Sequence, residues 1–129
     1  MITLSFLQLL QDNGFGVLDE SLFFQKLTLD KEGIYISDVG EPIGRGSRDV
    51  QSFELYARGK NDIEGYKLLT EIREFLKNSY SKICELPPVP QHNVEGYKNI
   101  TLSKPSTITN IGLDANNRTI YSLQSQIIY

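Results

Sequence analysis

The chain has 129 residues, of which 40% are hydrophobic and 22% charged, and a formal net charge of −3. That composition excludes disorder as the default and supplies apolar mass for one modest core, so residues 1–129 are read as a single domain. Proteins that neutralise phosphates are usually basic on at least one face, so the sign argues against a nucleic-acid binder.

The charge is uneven. Residues 1–40 carry six acids and two bases, residues 41–80 seven of each, and residues 81–129 three acids and four bases. Cys84 is the one cysteine, which excludes an internal disulfide and a Cys-cluster zinc site and fits a reducing, cytosolic history. Ile2 to Leu10 is apolar, but too short to span a bilayer and without the charged start of a signal peptide. No membrane role is expected, and the Asn99-Ile100-Thr101 and Asn117-Arg118-Thr119 triplets read as coincidental glycosylation patterns.

Residues 2–12 are predicted to form a short, well-buried helix. Ile2, Phe6, Leu9 and Leu10 share a face, Leu4 and Leu7 widen it, and Asn13-Gly14 is a natural stop. Residues 21–29, with Leu22, Phe23, Phe24, Leu27 and Leu29, suggest a strand. A turn at 30–33 and the run Ile34-Tyr35-Ile36-Ser37 would complete a hairpin. Residues 40–49 hold three glycines and a proline and are expected to be an irregular loop. In residues 50–59, Phe53, Leu55 and Ala57 share one face while Ser52, Glu54 and Arg58 share the other, the pattern of a half-buried strand.

Asn61 or Asp62 can cap a helix that runs to about Ser79. Its apolar stripe is Ile63, Tyr66, Leu69, Ile72, Phe75 and Leu76, and its wet side Glu64, Lys67, Glu71, Arg73, Glu74 and Lys77. Residues 81–93, with Pro87-Pro88-Val89-Pro90, read as an extended connector. Tyr97 to Leu102 is a strand with Ile100 and Leu102 inward, ended by Pro105. Residues 106–117 read as a polar loop closed by a turn at Asp114-Ala115-Asn116-Asn117. Thr119 to Tyr129 is the last strand, with Tyr121, Leu123, Ser125 and Ile127 alternating with Ser122, Gln124 and Gln126. The order α-β-β-β-α-β-β predicts an α+β fold: a mixed, mostly antiparallel sheet with two helices packed on one face.

Candidate chemistry is sparse. Cys84 and His92 could form a nucleophilic pair only with an orienting group, and a proline connector holds such geometry poorly. One histidine and one cysteine do not make a transition-metal site. Gly40 to Ser47 lacks the Gly-Lys-[Ser/Thr] ending of a phosphate loop and precedes a strand rather than a helix. Asp114-x-Asn116 lacks the later ligands of a calcium loop. Asp19-Glu20 and Glu71-Glu74 sit in turns or on a solvated face, where no carboxyl is held neutral for acid catalysis. The expectation is a protein that is not an enzyme and takes no cofactor or metal. Two features suit protein contacts. The 40–49 arm presents Ile43, Arg45 and Arg48, and the last strand has an uncharged outer strip with Gln124 and Gln126. Solvent exposure alone is the competing explanation of both.

Residues 48–129 resemble the tail-terminator and minor-capsid (head–tail joining) proteins of long-tailed bacteriophages. The resemblance rests on the strand from Asp49 to Gly59, the helix with Tyr66, Leu69, Ile72 and Leu76, a strand ending in Pro105, and Ile111-Gly112-Leu113-Asp114 leading to Asn117-Arg118 and Tyr121-Ser122-Leu123. The family often has Gly-Arg at the last turn. Here Asn117 stands in the glycine's place and tolerates the same left-handed backbone. Residues 1–47 match only in layout. The resemblance implies a virion protein assembled in the host cytoplasm and placed at the head-proximal end of the tail. It would form a hexameric ring of copies of itself on the tail tube protein, end tube growth and meet the head-completion (connector) protein, with DNA only passing through the lumen. An acidic chain fits such a lumen. Ile43, Arg45, Arg48, Gln124 and Gln126 would then lie at subunit or tube contacts. A head-side stopper and a ferredoxin-like, protein-binding adaptor are the alternatives.

Overall fold

The computed structural model describes residues 1–25, 31–46, 48–80 and 82–129. Its elements are α1 (Ile2–Asp12), β1 (Leu22–Phe24), β2 (Gly33–Asp38), β3 (Ile43–Arg45), β4 (Arg48–Arg58), α2 (Asp62–Ser79), β5 (Ile83–Leu86), a 3-10 turn (Pro90–His92), β6 (Tyr97–Leu102), β7 (Thr109–Leu113) and β8 (Thr119–Ile128). This is the expected α+β class, with more strands than the sequence pattern announces. No helix among the described residues is long and apolar enough to cross a membrane.

One mixed sheet runs β1-β2-β4-β8-β6-β5, with β3 paired to β4 and β7 paired to β8. β4 is its spine, joined along one side to β8 from Val50↔Ile128 to Ala57↔Tyr121 and along the other to β2 and β3. Phe53, Leu55 and Ala57 are fully buried on the helix side of β4, as their alternation predicts. Both helices pack against that side. Phe6 of α1 lies on Phe53 with ring centroids 4.8 Å apart, and Leu69, Ile72 and Leu76 of α2 join the same core. Each fully buried Leu, Ile or Phe contributes about 1.5–3 kcal/mol over its exposed state.

α1 is more than a surface helix. It touches β1 and β2 at one end of the sheet and β5 at the other, so the sheet curls around it. Ile2, Thr3, Leu4, Ser5, Phe6, Leu7 and Leu10 are buried as a result. Polar links close the curl. Ser5 Oγ donates to the Glu95 carbonyl (3.2 Å), the Leu18 N–H to Gln11 Oε1 (2.6 Å), and His92 Nε2 meets Asp19 Oδ2 (2.9 Å) across the gap between the edges.

The structure corrects the sequence reading in six places. First, the expected 21–37 hairpin is not one. β1 and β2 pair in parallel, Leu22↔Ile34 to Phe24↔Ile36. A three-residue strand requires a return of only about 10 Å, which the eight residues 25–32 can cover. Gly33 permits the approach, since a Cβ there would stand 2.2 Å from the Ser21 carbonyl oxygen, to which the Ile34 N–H donates at 2.9 Å. Leu27, Leu29 and part of the 30–33 turn lie outside the described residues.

Second, the 40–49 loop is partly regular: Ile43–Arg45 forms β3 and folds back antiparallel on Arg48–Val50. Third, the 81–93 connector contains β5, paired with β6, and the 3-10 turn beneath a Val89↔Val94 bridge. Fourth, the 106–117 loop contains β7, whose bulge between Asn110 and Gly112 hides its alternation. Fifth, Ile63 and Tyr66 leave the buried stripe of α2, being 77% and 51% exposed. Sixth, Arg58 and Ser122, read as outward-facing, are each only 5% exposed.

Candidate interaction surfaces

The face of β4 away from the helices carries Ser52, Glu54 and Tyr56. Across the register these meet Gln126, Gln124 and Ser122 of β8, and Tyr56 meets Tyr35 of β2. The tyrosine rings stack at 4.5 Å and 13°, and the Tyr56 hydroxyl donates to Glu54 (2.6 Å). Burial, then the bond to Glu54, pushes the Tyr56 hydroxyl well above its ordinary value of 10.0. Gln126 Nε2 donates to Ser52 Oγ (3.2 Å). Gln124 is exposed and Gln126 half-buried.

Both glutamines line a groove of about 520 Å³ with Val39, Ser52, Ser103, Lys104 and Ser106. Ile43, 71% exposed, opens an adjoining hollow of about 190 Å³ that shares Ser52 and Gln126. The fold therefore brings Ile43, Gln124 and Gln126 into one neighbourhood. Arg48 is elsewhere engaged, donating to the Asn99 carbonyl. The Arg45 side chain lies outside the described residues.

Sequence reasoning passed over the residues that finish this edge. Pro105 has no N–H and interrupts β6, so no regular ladder continues along β8. Ser103 and Ser106 replace it. The Ser103 and Ser106 N–H groups donate to the Gln126 and Gln124 carbonyls (3.0 and 2.9 Å), and the Gln126 and Gln124 N–H groups donate back to the two serine hydroxyls (both 2.9 Å). The signal was Ser103-Lys104-Pro105-Ser106: hydroxyls on both sides of a residue that cannot donate.

The other missed surface lies at the opposite end of β4. Gly59 and Gly65 let α2 close onto the strand end backbone to backbone, since a Cβ on Gly59 would stand 2.7 Å from the Gly65 nitrogen. Tyr66 then meets Tyr121 edge-on, with centroids 5.3 Å apart. Asp62, Ile63, Tyr66, Lys67, Thr70 and Tyr121 line an open surface depression of about 440 Å³. Ile63 and Tyr66 stand at three-residue steps from Leu69, and that spacing reads them as core. At about 100° per residue Ile63 points opposite to Ile72, and Tyr66 stands about a quarter-turn from the buried line of Gly65, Leu69, Ile72 and Leu76.

A polar knot fixes this end. The Asp114 carboxylate accepts from the Asn116 and Arg118 N–H groups (2.9 and 2.8 Å) and from Arg118 Nε (3.0 Å), and it lies 3.3 Å from an Arg58 amino group. Arg58 also donates to the Lys31 carbonyl (2.6 Å). Burial opposes the ionised carboxylate, but the N–H bonds and the Arg118 charge outweigh it and hold Asp114 below its ordinary 3.8. Asp114-x-Asn116 is thus a turn, and Asn117 takes the left-handed backbone (φ 61°) expected of it.

The remaining candidates for chemistry are dispersed. His92 is held by Asp19, and Cys84 sits in β5 opposite Ile100, with its thiol pushed up by burial, the wrong direction for a nucleophile. Among the described residues no group of three or more His, Cys, Asp or Glu side chains is placed to hold a metal ion. No family model matches the chain, and no curated protein matches it.

Proposed function

We propose that this protein is a structural subunit of a bacteriophage virion. Copies form a ring on the last ring of the tail tube, end its polymerisation and present a surface to the head-completion protein. It works by shape and mass action, with no bond made or broken. One ring face complements the tube and the other does not, so the head-to-tail stacking that lengthens the tube stops there. DNA passes through the lumen without being gripped, and the chain's net negative charge suits that passage.

The observation that carries this reading is the pair of exposed apolar sites at the two ends of β4, Ile43 at one and Ile63 with Tyr66 at the other. Other large apolar groups are exposed as well, Ile83 and Leu113 among them, but these two sites each line a hollow, which suits them to burial against other subunits. The resemblance over residues 48–129 supplies the identity of those subunits, and the α+β fold is compatible with it.

The test is co-sedimentation of the purified chain with assembled tail tubes, with electron microscopy of the pelleted ends. Rings of about six chains at one end of each tube are expected, and tubes should stop lengthening when the protein is added. Tubes that neither bind the protein nor change length in its presence would reject the reading.

A further inference from the structure

We propose that the β3–β4 hairpin of one copy of this chain seats in the α2-end depression of a second copy, with Ile43 as the inserted side chain. This rests on the ring reading above and names the surfaces through which neighbouring copies meet.

The two features are complementary in shape. Ile43 projects from the start of β4, through its pairing with Val50, and is 71% exposed. The depression of about 440 Å³ lies past the other end of β4, where Tyr121 pairs with Ala57. At about 3.3 Å per residue, the seven residue steps from Val50 to Ala57 separate them by roughly 23 Å. A projection at one end and a hollow at the other cannot satisfy each other within one chain. A two-fold contact could seat both projections at once, each in the other copy's hollow, but it would stop at a dimer and not build the ring proposed above. A head-to-tail contact joins unlike patches, and it closes into a ring when the rotation per subunit allows.

The charges also match. The hairpin residues 43–50 carry Arg45 and Arg48 against Asp49, a formal +1, whereas residues 62–71 contain Asp62, Glu64 and Glu71 against Lys67, a formal −2. Asp62 stands on the wall of the depression itself. An apolar centre ringed by opposite charges is the usual anatomy of a specific protein contact.

Cysteine pairing tests this in a Cys84→Ser background. One preparation carries Ile43→Cys and the other Ile63→Cys, both at exposed positions that leave the core intact. On mild oxidation the mixture should yield at least about ten-fold more cross-linked dimer than either preparation alone, since only the mixture brings unlike patches together. Sedimentation of the unmodified chain runs in parallel. Ile43→Asp should weaken self-association at least about ten-fold, Arg45→Asp should weaken it less, and Asp62→Lys on the other copy should restore the Arg45→Asp loss. Assemblies unaffected by Ile43→Asp, or equal cross-linking in all three samples, overturn this contact while leaving the ring reading in place. Absence of both cross-linking and self-association at high protein concentration overturns the contact too, and tube co-sedimentation then decides the ring reading separately.

Discussion

The two ends of the molecule are held together by different physics. At one, α1 is wrapped by both edges of the sheet, and its side chains from Ile2 to Leu7 are buried whatever direction they face. At the other, the first turns of α2 and the β7–β8 hairpin project past the core, and polar contacts fix them: the Asp114 knot, the Asn61 cap and the Gly59–Gly65 approach. From Ile2 to Leu7 the wrapped helix leaves no side chain exposed to a partner. A helix anchored by its polar groups can keep apolar ones in reserve, and Ile63 and Tyr66 are that reserve.

Phe6→Ala is the most severe way to probe the wrapped end. The side chain is fully buried and packed at a tilt on Phe53, so the variant loses its transfer energy and leaves a cavity. A loss of about 3–5 kcal/mol is expected in urea titrations. A loss under about 1 kcal/mol would mean that the sheet does not close around α1.

Asp114→Asn probes the open end and should cost less than Phe6→Ala. The amide keeps one acceptor oxygen but leaves Arg58 and Arg118 without the carboxylate between them. The wild-type contribution also has a defined pH range. Because the folded carboxyl titrates below its ordinary 3.8, the stabilisation is whole above 3.8 and is lost as the pH falls from there through the folded value. Urea midpoints taken from neutral to acidic pH should fall for the wild type in that range, and the variant should lack this part of the fall. Parallel curves for the two proteins would remove Asp114 from the knot.

Asn61→Ala is a smaller change at the same end. Its side-chain oxygen accepts the Glu64 N–H at 3.0 Å, and the Glu64 carboxylate returns to the Lys60 N–H at 3.3 Å, a reciprocal cap. A loss of about 1 kcal/mol is expected by thermal or urea unfolding. An unchanged midpoint would show that the start of α2 is held by its packing instead.

How far each end could be read from sequence follows the same division. α1, β4, α2, β6 and β8 each keep one period over six or more residues, and the pattern finds them. β1, β3, β5 and β7 are three to five residues long, too short for a period, and exist because a longer strand offers them an edge. The parallel pairing of β1 escaped notice because Gly33 signals a turn as readily as a close approach. At the candidate surfaces, composition pointed to Ile43, Gln124 and Gln126; the exposure of Ile43 follows from the Gly-rich hairpin, and the shared face of the two glutamines from strand alternation. Ile63 and Tyr66 read as core because a three-residue spacing resembles one face, although each such step drifts about 60° around the helix. Arg58 was assigned to solvent because its partner, Asp114, is more than fifty residues away.

Ile63→Ser carries the smallest stability effect and bears most directly on what the open end is for. A side chain 77% exposed contributes little to the monomer, so the urea midpoint should move by less than about 0.5 kcal/mol. The same substitution removes apolar area from the wall of the 440 Å³ depression, so self-association and tube co-sedimentation should weaken while folding does not. If stability falls by 2 kcal/mol or more, Ile63 belongs to the core after all, and the contrast between the two ends disappears. If neither folding nor assembly changes, the exposed isoleucine is ordinary surface, and the case for a partner must rest on Tyr66 and Ile43 alone.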